Sequence, residues 1–311
     1  MYGVGFLVFA IASCASAFWD HRLKRVAVWR LLVGLGLLAL LAFLLEFDSA
    51  MRAYRPAPPL KIAGIQMEFP PANLLPKVLD QALAKNPNAA LFVLSEYTLD
   101  GPVPAALKQW CRNHARYLIV GGKDELGASN YYNTAFVVGA NGEVIFQPAK
   151  SVPIQFFKDG LPAPEQKVWE SPWGRIGICV CYDLSYRRVT DGLIKQGAQL
   201  LIVPTMDVED WGAHQHELHA RVAWERAAEY GVPIFRVASS GISQAVNRGG
   251  YTLAQTRFSG SGDMLVAEFR LPSKGSLPLD TVGAPACVAL AAMVLALLLM
   301  PIWQHSPEVI E

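Results

Sequence analysis

The chain has 311 residues, of which 52% are hydrophobic and only 17% are charged. This length fits one large domain with additional segments, and the charged fraction lies below the roughly 25% that is usual for soluble proteins. The formal net charge of +1 gives no electrostatic basis for binding nucleic acid.

Three long apolar runs lie near the two ends of the chain, at Tyr2–Trp19, Trp29–Phe47 and Val282–Trp303. A helix that spans a bilayer needs about 17–25 mostly apolar residues, and each run satisfies this requirement. The first run lacks a basic segment before it, so a cleaved signal peptide is the less favoured alternative. We therefore expect three transmembrane helices.

These runs divide the chain into three parts. Residues 1–56 hold two spans joined by a short basic loop, residues 57–275 form a middle domain, and residues 276–311 hold the last span and a tail. The basic loop Asp20–Arg25 favours the cytoplasm, because Lys and Arg are enriched in cytoplasmic loops. This orientation places the middle domain on the periplasmic side of a bacterial inner membrane.

Within the middle domain, strand-like patterns alternate with helical patterns. The predicted strands are Lys61–Met67, Ala89–Ser95, Tyr117–Gly121, Ala135–Gly139, Glu143–Gln147, Arg175–Val180, Leu200–Pro204 and Pro233–Ala238, and the predicted helices are Leu74–Lys85, Ala105–Arg116 and His216–Tyr230, with another after Ser185. Asn141-Gly142 predicts a hairpin. The alternation predicts an α/β fold with helices outside the sheets.

Cys181 is the first candidate for chemistry. It follows an apolar strand and precedes a helical pattern, and a helix N-terminus near a sulfur favours the thiolate. Cys179, two residues earlier, would point the same way if the strand continued. Free cysteines are often simply buried apolar residues, so the position alone does not identify a nucleophile.

Glu96 and Lys150 are the other two candidates. Glu96 ends an apolar strand, where removal from water raises the pKa of a carboxyl group towards values useful in acid–base catalysis. Lys150 follows the predicted hairpin, and a fixed ammonium there can stabilise an oxyanion or lower the pKa of a nearby thiol. Either charge alone also fits an ordinary solvated strand end.

Taken in order, these residues resemble the nitrilase (carbon–nitrogen hydrolase) superfamily, whose members carry Glu, Lys and Cys at strand ends. The resemblance covers about Lys61 to Leu271 and includes Leu94-Ser95-Glu96-Tyr97, the Val-Pro segment after Lys150, Val180-Cys181-Tyr182-Asp183, His216, Ala220-Arg221, Ala227, Glu229, Pro233, Arg236 and Gly241-Ile242-Ser243. An ordered set is far more specific than any one motif. It implies an α/β fold with a four-layer α-β-β-α sandwich and a thioester mechanism.

Within the superfamily the chain looks most like the apolipoprotein N-acyltransferase family, which carries this domain outside the membrane between spanning helices. That family has a larger helical bundle than three spans provide. Eight residues after Lys150 it usually has a supporting glutamate, but this chain has Lys158 there. The resemblance leaves the supporting role to Asp159 or Glu165, or leaves it unfilled.

Several histidines lie in and just before the predicted helix that begins at His216. His214 and His216 point apart on a helix, and no His-Glu-x-x-His pair occurs, so helix-face histidines are favoured over a zinc site. We assign Trp211 and His216 to a loop over the substrate, although simple packing explains Trp211 equally well. No dinucleotide or phosphate-binding motif occurs, and we expect no metal and no cofactor.

The resemblance implies a mechanism in which Glu96 takes the thiol proton of Cys181 and the thiolate attacks a carbonyl carbon. Lys150 and the Tyr182 N–H would hold the oxyanion, and the resulting acyl-thioester would pass to an amine or to water. An N-acyltransferase with a lipid acyl donor and an amine acceptor is favoured. A membrane-anchored amidase or nitrilase is the alternative, and a non-catalytic scaffold is the third possibility. The expected partners are the lipid bilayer and, by resemblance, further copies of the chain.

Overall fold

The computed structural model describes residues 58–278 apart from 128, 261 and 272, together with single positions at 283, 285, 288, 289 and 292. The chain divides into two compact units, and the fold described below belongs to the unit Tyr54–Leu277. The apolar runs Tyr2–Trp19 and Trp29–Phe47 lie outside the described residues, as does Val282–Trp303 except at those single positions. In the described part of the chain, no helix is both long and apolar enough to cross a bilayer. The three spans and the division at residues 56 and 275 stay predictions.

The described residues form twelve strands in two six-stranded sheets. In chain order the strands are β1 Pro59–Ile65, β2 Leu91–Leu94, β3 Tyr117–Gly127, β4 Asn130–Val138, β5 Val144–Phe146, β6 Val168–Ser171, β7 Gly174–Ile178, β8 Leu200–Thr205, β9 Ile234–Ala238, β10 Gln244–Val246, β11 Thr252–Gln255 and β12 Met264–Arg270. The first sheet has the order β12-β1-β2-β3-β4-β5, and the second has the order β11-β10-β9-β8-β7-β6.

Among the described residues, four α-helices cover the outer faces of the sheets. They are α1 Leu75–Lys85, α2 Ala105–His114, α3 Arg187–Lys195 and α4 Gly212–Tyr230. Two short 3-10 helices follow strands of the second sheet: Cys181–Ser185 comes after β7, and Glu209–Trp211 comes after β8.

Alternation along the strands produces the layers. In β1, Leu60 and Ile62 face the core between the two sheets, and Ala63 and Ile65 face α1 and α2. A third apolar cluster joins the outer face of the second sheet to α3 and α4. Because successive side chains of a strand point to opposite faces, one apolar strand can serve two cores at once. The expected two-sheet α/β sandwich is confirmed.

The parallel strands at the centre of each sheet place several loops together. β1, β2 and β3 run parallel, and so do β7, β8 and β9. Glu96 follows β2, Cys181 follows β7, and Met206 follows β8. In open α/β sheets the carboxyl ends of parallel strands are where ligands bind.

Candidate active site

Glu96 lies two residues after β2 and is held there by a close approach of two backbones. Gly121 on β3 lies so near that a Cβ atom there would come within 2.5 Å of Glu96 Cα and 2.6 Å of Ser95 O. Tyr97, the next residue, has a φ of 52°, a conformation that is uncommon for residues other than glycine. This turn buries Glu96, whose side chain is 1% exposed.

The Glu96 carboxylate is fixed by three donors. Its Oε1 accepts from Lys150 Nζ at 2.9 Å and from Asn133 Nδ2 at 2.6 Å. Its Oε2 accepts from the Met206 backbone N–H at 2.7 Å. A carboxylate bound in this way has a defined direction for receiving a proton.

Lys150 is buried between two carboxylates. Its Nζ lies 2.9 Å from Glu96 Oε1 and 2.7 Å from Asp159 Oδ2. Burial lowers the pKa of the Lys150 amine, but the negative charges of Glu96, Cys181 and Asp159 outweigh that effect and hold the pKa above its ordinary value. Lys150 is therefore a fixed ammonium at neutral pH.

The structure separates the two candidates for the supporting acid. Asp159 is buried, and besides Lys150 its oxygens accept from Tyr97 Oη, Asn133 Nδ2 and the Ile154 N–H, each at 2.8 Å. Glu165 is exposed and pairs with the equally exposed Lys167 at 3.0 Å. Asp159 thus joins the cluster and Glu165 does not.

Cys181 begins a 3-10 helix with a φ of 51° and is 2% exposed. Its Sγ lies 3.8 Å from Met206 O. Burial raises the pKa of the Cys181 thiol, the Glu96 charge and hydrogen bond raise it further, and Lys150 opposes them. The resting group is therefore a thiol in contact with a carboxylate that can take its proton.

Cys179 and Cys181 do not face the same way, contrary to the expectation for a continuous strand. β7 ends at Ile178, and Cys181 already has a positive φ. Cys179 packs in the cluster under α3 and α4, whereas Cys181 lies in the cluster between the sheets. Cys111, Cys179 and Cys181 are all free thiols.

Asp183 connects the segment after Lys150 to the turn that carries Cys181. Its Oδ1 accepts from the N–H groups of Ser151 at 3.0 Å and Val152 at 2.8 Å, and its Oδ2 accepts from the Val180 N–H at 3.3 Å. Burial raises the pKa of the Asp183 carboxyl to about 6, although these hydrogen bonds oppose the rise.

This raised pKa gives a testable pH dependence of stability. A carboxyl group whose pKa rises on folding stabilises the fold below about pH 4, and that contribution is lost as the pH rises through about 6. Between these pH values we expect the unfolding free energy of the wild type to fall by about 3 kcal/mol relative to that of Asp183→Asn. Urea unfolding of both full-length proteins at several pH values measures the difference, and parallel curves would contradict the assignment.

Two cavities adjoin the cluster on either side of Ile154 and Trp211. One, of about 300 Å³, is lined by Cys181 and Tyr182. The other, of about 470 Å³, is lined by Asp159 and Met206. Trp211 contributes to both cavities, and Tyr182, which is 38% exposed, lies at the surface beside the thiol.

His216 lines neither of these cavities. It is fully buried, with its ring stacked at 4.4 Å on Phe258 and at 6.5 Å on Trp211. Its Nδ1 lies 3.9 Å from Asp207 Oδ2, and neither ring nitrogen has a hydrogen-bond partner among the described residues. His216 therefore lies inside the fold between Phe258 and Trp211, and its role towards a substrate stays a prediction.

Two groups of the site, Asn133 and the Met206 backbone, are not predicted by any sequence motif. Asn133 joins Glu96 to Asp159, and the Met206 backbone contacts both Glu96 and Cys181. Their roles depend on contacts between distant parts of the chain. In the part of the chain that the structure describes, no cluster of His, Cys, Asp and Glu has the geometry of a metal site.

A sandwich of two α/β layers, with a cysteine, a glutamate and a lysine meeting at the strand ends, defines a nitrilase-superfamily enzyme. The family model described as carbon-nitrogen hydrolase matches residues 58–272. The chain belongs to this family.

Curated relatives fall into two groups. The chain is 24% identical over 210 residues to an apolipoprotein N-acyltransferase from Bdellovibrio bacteriovorus, a match that covers 60% of this chain and 37% of the relative. It is 25% identical over 116 residues to an omega-amidase from Homo sapiens, with 34% of this chain and 42% of the relative covered. The chain thus spans less than half the length of these relatives.

Solved structures share the fold. A carbon-nitrogen hydrolase from Helicobacter pylori superposes with a TM-score of 0.60 at 19% identity, covering 68% of this chain and 89% of that one. An amidase from Nesterenkonia sp. gives a TM-score of 0.57 at 19% identity, covering 70% of this chain and 92% of that one. At this identity the likeness establishes the sandwich and nothing finer.

Proposed function

We propose that the chain is an N-acyltransferase that forms an acyl-thioester on Cys181, takes the acyl group from a lipid and passes it to an amine. The observation that carries this proposal is the buried Glu96–Lys150 ion pair beside the buried thiol of Cys181, since the Met206 backbone contacts both Glu96 and the sulfur. In this proposal the reaction takes place at the outer surface of a bacterial inner membrane, to which the terminal apolar runs anchor the domain.

Acylation begins with proton transfer from Cys181 to Glu96. The thiolate attacks the carbonyl carbon of a lipid ester, and the tetrahedral intermediate carries a negative charge on oxygen. Glu96 then gives its proton to the departing alcohol, so that the ester C–O bond breaks and the acyl group remains on sulfur. Glu96 ends this step as a carboxylate, as it began.

The oxyanion is held by two groups of different kinds. Lys150 supplies a fixed positive charge, which Glu96 and Asp159 orient before substrate arrives. Tyr182 follows Cys181 in the 3-10 helix, and the first N–H groups of a helix have no partner within it. Donors that are already aligned need no reorganisation when the charge develops.

Two observations favour a lipid donor and an amine acceptor. The acyltransferase match is 210 residues long, whereas the omega-amidase match is 116 residues long. Large apolar side chains are also exposed at the mouths of the cavities: Phe156 is 92% exposed, Phe157 60% and Phe69 57%. Exposed apolar patches of this kind are typical of surfaces that contact lipid or protein.

A membrane-anchored amidase or nitrilase is the second candidate. The thiol cavity of about 300 Å³ lies at the small end of ligand pockets and suits a small amide. The amidase from Nesterenkonia sp. has been captured with the acetamide moiety of fluoroacetamide on its active-site cysteine. In this case water would replace the amine in the second step.

Mass spectrometry separates these functions. Full-length protein is incubated with phospholipid in mixed micelles or with a small amide, then quenched, and an amine-bearing peptide is added in a second step. We expect a fatty-acyl adduct that the peptide discharges by becoming acylated. An adduct from the small amide alone, discharged by water, would replace this proposal with the amidase, and no adduct from either donor would favour a scaffold.

A further inference from the structure

His219 and Asp207 form a histidine–carboxylate pair beside the thiol. His219 lies on α4 and lines the same cavity of about 300 Å³ as Cys181. Its Nδ1 is 2.6 Å from Asp207 Oδ1. Asp207 directly follows Met206, whose backbone contacts both Glu96 and the Cys181 sulfur. Along the chain, Asp207 is therefore the direct neighbour of a residue that contacts both Glu96 and Cys181.

The carboxylate of this pair is ionised and fixed. Burial raises the pKa of Asp207, but the Arg236 charge and the contacts with His216 and His219 outweigh burial and hold the pKa well below its ordinary value. Arg236 donates to Asp207 Oδ2 from a fully buried position on β9. A Cβ at residue 241 would come within 2.5 Å of the same oxygen, so Gly241 also closes around it.

An ionised carboxylate determines which nitrogen of His219 carries the proton. A carboxylate only accepts hydrogen bonds, so Nδ1 donates to Asp207, and in the neutral imidazole this assignment leaves Nε2 with a lone pair. The side chain of His219 is 14% exposed, and Nδ1 is used by Asp207. Arg236 Nη2 lies 3.2 Å from the same nitrogen, but a guanidinium only donates, so Arg236 pairs with Asp207 and not with the protonated Nδ1. Nε2 is the ring nitrogen left without a partner in these contacts, and His219 lines the thiol cavity.

Glu96 can carry only one of the protons that the acceptor gives up. Its two oxygens are held by Lys150, Asn133 and the Met206 N–H, beside the sulfur to which that proton returns. A protonated amine gives up two protons when it becomes an amide. One of them returns to the sulfur, and the other needs a second base in contact with the cavity.

We propose that His219, oriented by Asp207, is the base that takes a proton from the acceptor in the second half of the reaction. This inference rests on the proposed function, because it presupposes a thioester on Cys181. Asp207 acts through the imidazole as a positioning residue. His219 touches the acceptor and is a catalytic residue.

The protons and bonds of this step balance as follows. Nε2 takes the first proton from the ammonium, and the neutral nitrogen attacks the thioester carbonyl. The C–N bond forms, the C–S bond breaks, and the second amine proton reaches the sulfur through Glu96. The products are an amide, the free thiol of Cys181 and one proton, which His219 releases to water in the open cavity.

A purely structural role for His219 makes a different prediction from a catalytic one. His219→Asn keeps an N–H donor close to the position of Nδ1, so the contact with Asp207 is retained, but it removes Nε2. His219→Ala removes both nitrogens. His214→Asn is the matched control, because His214 is an exposed histidine on the same helix.

The test measures the two half-reactions separately in full-length protein. Rapid quench and mass spectrometry follow the formation of the acyl adduct from phospholipid, and then its discharge by an amine-bearing peptide. In His219→Asn and His219→Ala we expect discharge to slow by about 10²-fold or more and acylation to change far less, with imidazole restoring discharge in His219→Ala. We expect His214→Asn to match the wild type in both steps.

Other outcomes would contradict either the role of His219 or the proposed function. Discharge at the wild-type rate in His219→Asn, or an equal loss in both half-reactions, would show that His219 only holds Asp207 in place. Absence of any adduct in the wild type would overturn the proposed function, and the role of His219 with it.

Discussion

Replacing Cys181 with alanine is expected to lower turnover by at least about 10³-fold and to abolish acyl capture, because no other thiol lines the two described cavities. Cys179 and Cys111 are the other free cysteines of the described domain, and both are fully buried. The measurement is the rate of amine acylation together with the intact mass of the quenched protein. An unchanged melting temperature of the variant excludes the possibility that activity is lost because the protein unfolds.

Cys179→Ala is the matched control for this experiment. Cys179 is two residues from the nucleophile but packs under α3 and α4, on the far side of the second sheet from the Cys181 cluster. We expect it to retain the adduct and most of the activity, with a small loss of stability. Full acyl capture in Cys181→Ala would remove Cys181 from the mechanism.

Replacing Lys150 with methionine is expected to have the largest effect on stability. The substitution leaves Glu96 and Asp159 buried without their cation, and removing one partner of a buried ion pair commonly costs about 3–5 kcal/mol. It also removes the positive charge proposed for the oxyanion. Urea unfolding of the full-length protein gives the change in unfolding free energy, and the acylation rate gives the catalytic effect.

Two further variants test whether the loss comes from uncompensated charge. Asp159→Asn in the Lys150→Met background removes one of the two stranded carboxylates and should recover part of the stability. Lys158→Met, at an exposed lysine one residue before Asp159, should change the unfolding free energy by less than about 0.5 kcal/mol. Equal stability of Lys150→Met and the wild type would contradict the buried ion cluster.

The meeting of Glu96, Lys150 and Cys181 could be expected from the sequence for a specific physical reason. Each follows an apolar strand or hairpin, and the ends of parallel strands gather at one edge of a sheet. The family resemblance supplied their pairing across the two sheets. Most strands and helices were also predicted within a few residues, because their apolar periodicity is strong.

The strands that the sequence patterns do not predict are short or lie at the edges of the sheets. β10 and β11 have three and four residues, too few for an alternation to be recognised. β12 pairs with β1 along its whole length, and Leu265 and Phe269 face the core between the sheets, but the strand lies at a sheet edge and its other face is only partly buried. Tertiary pairing, rather than local preference, makes these segments strands.

The site residues that the sequence does not identify depend on contacts between distant parts of the chain, which no local pattern encodes. Spacing along the chain could not separate Asp159 from Glu165, and only the fold buries the first and exposes the second. On α4 the sequence favoured His216, but the helix turns that residue inward and brings His219, three positions later, to the cavity. The phase of a helix against its neighbours is set by packing.

Peptide mapping after an acid quench locates the residue that carries the acyl group during turnover. Wild-type protein is mixed with acyl donor, quenched within the first turnover and digested, and the acylated peptide is treated with hydroxylamine, which cleaves thioesters. We expect the acyl mass on the peptide that contains Cys181, released by hydroxylamine and missing from Cys181→Ala. An acyl group carried by any other residue during active turnover would contradict this expectation.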